Sequence, residues 1–293
     1  MEIIVCVKQI LDPYGMVYYD HQASEVKKEG VASVINPSDE LALEYALKLK
    51  DSTGGKVIVI CLGSSNAEES LRYCLSVGAD KAILISTQDI GALEAYTTGR
   101  LLAKAISHLH YDLILCGLQA ADDNTGLVWA VIAEELGLAA VGGVREVLTA
   151  GGERRLVVHR GEEGGERSIL ELDLPALLAI ESGLKLRYPA LRSRLAAQKI
   201  AIEKLSLDSL QVSPDEAKSW SNVKLARFSL PKPKRRGLLI PDESLSAFER
   251  IQHLMTGGIT TKGASKLSGE PNEVAVKLAE ILKENDLVKT IKK

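Results

Sequence analysis

Four short β-rich runs, IIVCV (3–7), VIVICL (57–62), AILIS (82–86) and LILCG (113–117), are continuously apolar and show no alternation. A strand with a polar residue at every second position can leave one face in water. These runs have no such face, so they predict a parallel sheet covered by helices on both sides. The spans between them carry helix signals. Asn36-Pro37-Ser38-Asp39-Glu40 offers a cap, a proline at the first helical position and acids in the first turn, ahead of Leu41, Tyr45, Ala46 and Leu49. A second helix is expected from Ser64 or Ser65 to a stop at Gly78, with Leu71, Cys74 and Leu75 inward, and a third from about Ala92 to His108. The predicted fold is α/β, a doubly wound, mostly parallel, Rossmann-like sheet.

After Arg145 the pattern changes to alternation in LVVHR and SILELDL, joined by the turn GEEGGE, which predicts an added hairpin layer. A long polar loop or hairpin is expected around residues 20–28. From Ser206 the sequence loosens into polar stretches, Pro231-Lys232-Pro233 and the basic run 234–236. The expected division is an α/β domain over 1–205 and a C-terminal arm over 206–293. The arm ends in a helix opened by Pro271 with Val274, Leu278, Ile281 and Leu282 on one face. That apolar stripe either packs back on its own domain or docks on a partner.

Composition excludes several classes. The 293 residues carry a net charge of -3, without the basic footprint of a nucleic-acid binder. Four cysteines, Cys6, Cys61, Cys74 and Cys116, lack CxxC or Cys/His metal spacing and read as buried thiols of a reducing cytoplasm. The chain opens directly on the strand EIIVCVK, without a secretory pattern. The most apolar stretch, 127–144, is cut by Glu134 and Glu135, so a cytoplasmic protein is expected. His21, His108, His110, His159 and His253 do not cluster at ligand or triad spacing, and two Phe and two Trp give no reason to expect a flavin stacked between aromatic rings.

The segment CGLQAADDNTG (116–126) follows an apolar strand and runs into an amphipathic helix. Unpaired N–H groups at a helix start attract phosphate, and in an open parallel sheet the loops after the strands converge on one crevice. Asn124 or Thr125 can equally be an ordinary N-cap. Asp122 and Asp123 pose a problem, because like charges about 4 Å apart repel by roughly 4 kcal/mol at intermediate dielectric. The helix dipole returns only about 0.3 to 1 kcal/mol. If a nucleotide binds here, both carboxylates must point away from its phosphates.

These residues resemble the electron transfer flavoprotein beta subunit. The matching segments are VCVKQILD, INPSDELALEYALKLK, ICLGSSNAEESLRYCLSVGADKAILI, ILCGLQAADDNT, ELDLPALLAIESG and RYPAL, in order and at the family's spacing. The resemblance implies an electron shuttle between dehydrogenases and a further acceptor. It also implies a heterodimer with an alpha subunit holding most of an FAD, and an adenine nucleotide in the beta chain, AMP in one branch and a second, bifurcating FAD in another. The family's cofactor contacts fall on Cys6, Val7, Asn36, Pro37, Ser38, Leu62, Gly63, Gly117, Gln119, Ala120, Asp122, Asn124 and Thr125. The loop is closest to the pattern GRQAIDGDTAQVG of the branch with bifurcating members, except that Leu127 replaces its glutamine and Trp129 its glycine. Trp129 can also be read as a core residue of its helix. The family's recognition loop for dehydrogenases maps to 183–199, where GLKLRYPALRSRLAAQK keeps Arg187 and Tyr188 of the usual NEPRY and puts Leu191 at the docking position. The other reading of that segment is a short helix after Pro189 that buries Leu191 and Leu195.

An adenine-nucleotide-binding sensor or hydrolase is the alternative, although no GxxxxGK[ST] loop and no nucleophile with a base and orienting acid is evident. A hydride-transferring dehydrogenase would need a GxGxxG turn after the first strand, where this chain has KQILDP.

Overall fold

The computed structural model describes residues 1–15, 18–20, 25–27, 30–87, 90, 93–149, 154–221, 223, 244–255 and 267–284. Two units are distinguished, Met1–Ser229 and Leu230–Lys293. The first begins with β1 (Glu2–Val7), β2 (Gln9–Leu11), β3 (Tyr18–Asp20), β4 (Glu25–Lys27), β5 (Ser33–Ile35), α1 (Pro37–Thr53), β6 (Lys56–Gly63) and α2 (Glu68–Val77). It continues through β7 (Lys81–Ser86), α3 (Ala95–Ile106), β8 (Leu113–Gly117), α4 (Val128–Leu136), β9 (Ala139–Thr149), β10 (Arg155–Gly161) and β11 (Arg167–Asp173). The last elements of this unit are β12 (Ala176–Ile180), α5 (Leu191–Ala197), β13 (Glu203–Leu205) and α6 (Pro214–Ser219). The second unit holds α7 (Ala247–Met255) and α8 (Pro271–Glu284).

Among the described residues nine strands form one sheet in the order β11-β10-β9-β12-β8-β1-β6-β7-β13. β1 pairs in parallel with β6 and β8, and the chain reverses its direction of travel across the sheet on either side of β1. Alternate residues of β1 supply the two cores. Ile3, Val5 and Val7 pack with α1 and α2, while Ile4 and Cys6 pack with α3 and α4. Ile3 and Ile4 are fully buried, each worth about 1.5–3 kcal/mol relative to exposure. The expected hairpin of β10 and β11 is present, extended by β9 into an antiparallel meander. A β3–β4 pair lies where a loop or hairpin was expected. Besides β9, two further strands of this sheet go beyond the expectation. β12 runs in parallel between β8 and β9, and β13 adds an edge strand to β7.

The boundary expected at 205/206 falls at Ser229 instead. Leu207, Leu210, Val212 and Ala217 are buried in the α3 side of the core, and the Arg100 guanidinium stacks on the Trp220 ring at 4.2 Å. The residues just after β13 are therefore core, held by apolar burial that a polar composition had masked. The proline and basic runs at 231–236 lie outside the described residues. No described helix is long and apolar enough to cross a membrane.

Candidate functional site

The carboxyl ends of β1, β6 and β8 open into a crevice of about 560 Å³, at the point where strand order reverses and open α/β sheets place their ligands. Cys6, Val7, Asn36, Leu62, Gly63, Gly117, Gln119, Ala120, Asp122 and Thr125 all line it. Pro37, Ser38 and Asn124 do not. Pro37 starts α1, and Ser38 lies beneath Gly117, its Cβ 2.7 Å from where a Cβ on that glycine would sit. Asn124 is exposed, with φ of 55° and its N–H donated to the Ala120 carbonyl at 2.8 Å. Neither Asn124 nor Thr125 caps α4. The N-cap position belongs to Leu127, without a side-chain cap bond.

Asn36 stands at the N-cap of α1 but makes no cap bond either. Its side chain reaches the loop after β8, where Nδ2 donates to the Gln119 carbonyl at 3.1 Å and Oδ1 accepts the Ala121 N–H at 3.0 Å. A polar side chain 2% exposed is thus fully engaged in holding the loop. Beside it, buried Asp39 accepts the Lys8 N–H at 2.7 Å and the Gly117 N–H at 3.1 Å, tying β1 to β8. A Cβ at Gly117 would stand 2.3 Å from Asp39 Oδ1, so only glycine fits there. Burial pushes the Asp39 carboxyl up to about 7, against hydrogen bonds from Asn36, Lys8 and Gly117.

Lys8 answers the electrostatic objection raised by the loop. Its Nζ donates to Asp122 Oδ1 at 2.7 Å and to Asp123 Oδ2 at 2.9 Å. Burial would lower the Lys8 ammonium, but hydrogen bonds and charge from the two aspartates lift it above its ordinary value. Burial likewise works against ionised Asp123, yet the Thr125 N–H and Lys8 hold it below the usual carboxylate range. Lys8 and Asp39 escaped the sequence reading. Asp39 looked like a helix-start acid, and Lys8 lies 114 positions from Asp122.

The apolar wall comes partly from Leu93, just ahead of α3, and from Ala95 and Leu102 of α3, with Thr98 beside them, residues the sequence did not single out. Leu127 is 44% exposed at the crevice, and half-buried Trp129 lines it with its ring packed over Gly142. The buried Trp129 indole N–H has no acceptor, and none of the described residues accepts from the N–H groups of Gly126, Leu127, Val128 or Trp129. The first N–H groups of any helix lack partners along its own chain, and here the buried indole N–H stands among them, so this cluster at the start of α4 is chemically suited to an oxyanion. Cys61 and Cys116 are raised, Cys61 to about 12 by burial and Cys116 by its hydrogen bond with Cys6 and by burial, which leaves both as inert thiols. No group of three His, Cys, Asp or Glu among the described residues could hold a metal ion.

The 183–199 segment emerges elsewhere. Tyr188, Leu191 and Leu195 are 81%, 73% and 61% exposed, so α5 does not bury Leu191 and Leu195. Arg187 is not part of that exposed surface in the same sense. Its guanidinium pairs with Glu44 and Asp51 of α1, each at 2.9 Å, and fixes the base of the segment.

The family described as "Electron transfer flavoprotein domain" matches residues 25–210. A protein of Thermoanaerobacterium thermosaccharolyticum named electron transfer flavoprotein subunit beta is 37% identical over 254 residues, covering 86% of this chain and 96% of that protein. One of the same name from Megasphaera elsdenii is 34% identical, covering 83% and 92%. The caffeyl-CoA reductase-Etf complex subunit CarD of Acetobacterium woodii is 35% identical, covering 73% and 82%. Matched over well more than half its length, with every lining residue of the crevice except Cys6, Val7 and Lys8 inside the matched region, the chain belongs to the electron transfer flavoprotein family.

Proposed function

We propose that this chain is the beta subunit of an electron transfer flavoprotein, contributing a nucleotide site and a docking segment to a heterodimer with an FAD-holding alpha subunit. The observation that carries the reading is the crevice at the β1/β8 reversal, which combines an apolar wall, a loop bracketed by Asn36 and a cluster of unpaired N–H donors at α4. These residues fit the adenylate common to AMP and FAD. The apolar wall would take the base, and the α4 donors would take the phosphate. A bound flavin would accept and pass on electrons. The chain's own work is to bind, orient and exclude water, and an electron-carrier role needs no catalytic side chain from it. The names of its relatives, subunits of electron transfer flavoproteins and of a caffeyl-CoA reductase complex, support the same role.

Leu191 and Tyr188, exposed beside Lys185, Arg192 and Arg194, suit an apolar pocket with an acidic rim on a dehydrogenase. In the second unit α7 exposes Phe248, Ile251, Leu254 and Met255, an apolar face suited to the alpha subunit. The test is to purify the chain with its alpha partner and count the adenine compounds released by acid. One FAD with one AMP per heterodimer is the simple carrier, and two FAD is the bifurcating arrangement. A heterodimer that releases no adenylate beyond the alpha-held FAD refutes the nucleotide site in this chain.

A further inference from the structure

Lys8 is the only Lys or Arg among the described residues that line the crevice, and its ammonium is committed to two carboxylates. The three side chains stay about two-fifths exposed, so the pair is open to whatever enters. The lysine backbone is fixed on both sides, its N–H donated to Asp39 and its carbonyl accepting the Asn36 N–H at 2.9 Å. A rigid strand end therefore presents the ammonium. Asp123 also accepts the Thr125 N–H at 3.1 Å and its hydroxyl at 3.2 Å, and Asp122 accepts the Asp123 N–H at 2.9 Å. Both carboxylates are occupied by Lys8 and by their own loop. The unpaired N–H groups of residues 126–129 begin three positions after Asp123.

We propose that Lys8 is the positioning residue that makes this loop able to accept a phosphate. It draws Asp122 and Asp123 aside and cancels half of their charge, leaving the α4 donors to receive the anion. It acts through the carboxylates and is not itself the phosphate ligand. The buried carboxylate on the same side, Asp39, is committed to backbone N–H groups of β1 and β8. Without the ammonium, two neighbouring negative charges would face an incoming phosphate in a partly desolvated cleft. The proposal rests on the nucleotide reading above, and its test separates the two.

Titration calorimetry on the nucleotide-stripped heterodimer, with AMP and with adenosine as probes, reads the effect. Lys8→Met is expected to weaken AMP about tenfold, while adenosine, which has no phosphate, changes less than about twofold. Adding Asp122→Asn and Asp123→Asn to Lys8→Met is expected to restore AMP binding. Unchanged AMP affinity in Lys8→Met, or an equal loss for adenosine, overturns the proposal. A triple variant as weak as the single one also overturns it and makes Lys8 a direct ligand. Wild-type heterodimer that binds neither probe removes the nucleotide reading, and with it the role of Lys8.

Discussion

The crevice and the 183–199 segment are built in opposite ways within one unit. At the crevice, Asn36 and Asp39 are buried and fully hydrogen-bonded, and the loop they hold is fixed before a ligand arrives. In the 183–199 segment the apolar side chains of Leu191 and Leu195 stand in water, and only their footing is fixed, by Glu44 and Asp51 on Arg187 and by Arg72 on the carbonyls of Ala197, Gln198 and Ile200. On the proposed function, a small ligand would be gripped by preorganised polar groups, whereas a protein partner would be met by an exposed anchor. The two regions should therefore fail independently and by different readouts.

The largest expected effect breaks the crevice side. Gly117→Ala places a Cβ against Asp39 and Ser38, and about 3 kcal/mol of stability should be lost, read from the denaturant midpoint, together with adenylate binding. Loss of binding with no loss of stability would show that the close approach of β8 to α1 is not structural. Next, Leu191→Ala should cost about 2 kcal/mol in kcat/KM for reduction by the dehydrogenase partner while leaving stability and adenylate content unchanged. A drop in adenylate content would mean that the two regions are coupled.

The smallest effect is a pH dependence. Because the folded-state value of Asp39 is raised to about 7, its contribution is present at low pH and is lost as pH rises through 7. Unfolding free energy should fall by about 1 kcal/mol between pH 6 and pH 8, and Asp39→Asn should flatten that slope. An unchanged slope in the variant would rule out Asp39 as the titrating group.

The central strands were legible because residues covered on both faces leave no polar alternation, as in β1, β6, β7 and β8. β12 was hidden because ALLAI follows directly on the alternating β11, and its partners β8 and β9 are remote in sequence. β13, the three residues EKL, has no apolar signature at all and exists through its pairing with β7. At the site, residue types and loops could be read from the sequence, including the charge conflict at Asp122 and Asp123. The resolution of that conflict could not be read, because it depends on a lysine brought close only by adjacent strands. Asn36 shows the same limit. Its position at a helix start was legible, but the bonds of its side chain were not.

Helix α1 carries Asn36 and Asp39 at its first turn and, further along, Glu44 and Asp51 that anchor Arg187, with the Tyr45 hydroxyl donating to the Arg145 carbonyl at 2.5 Å. Each residue advances an α-helix by about 100° and 1.5 Å. A single insertion or deletion between Asp39 and Glu44 would swing one set of fastenings out of phase with the other. A change of length in this stretch would therefore dismount either the fastening of the crevice loop or that of the 183–199 segment.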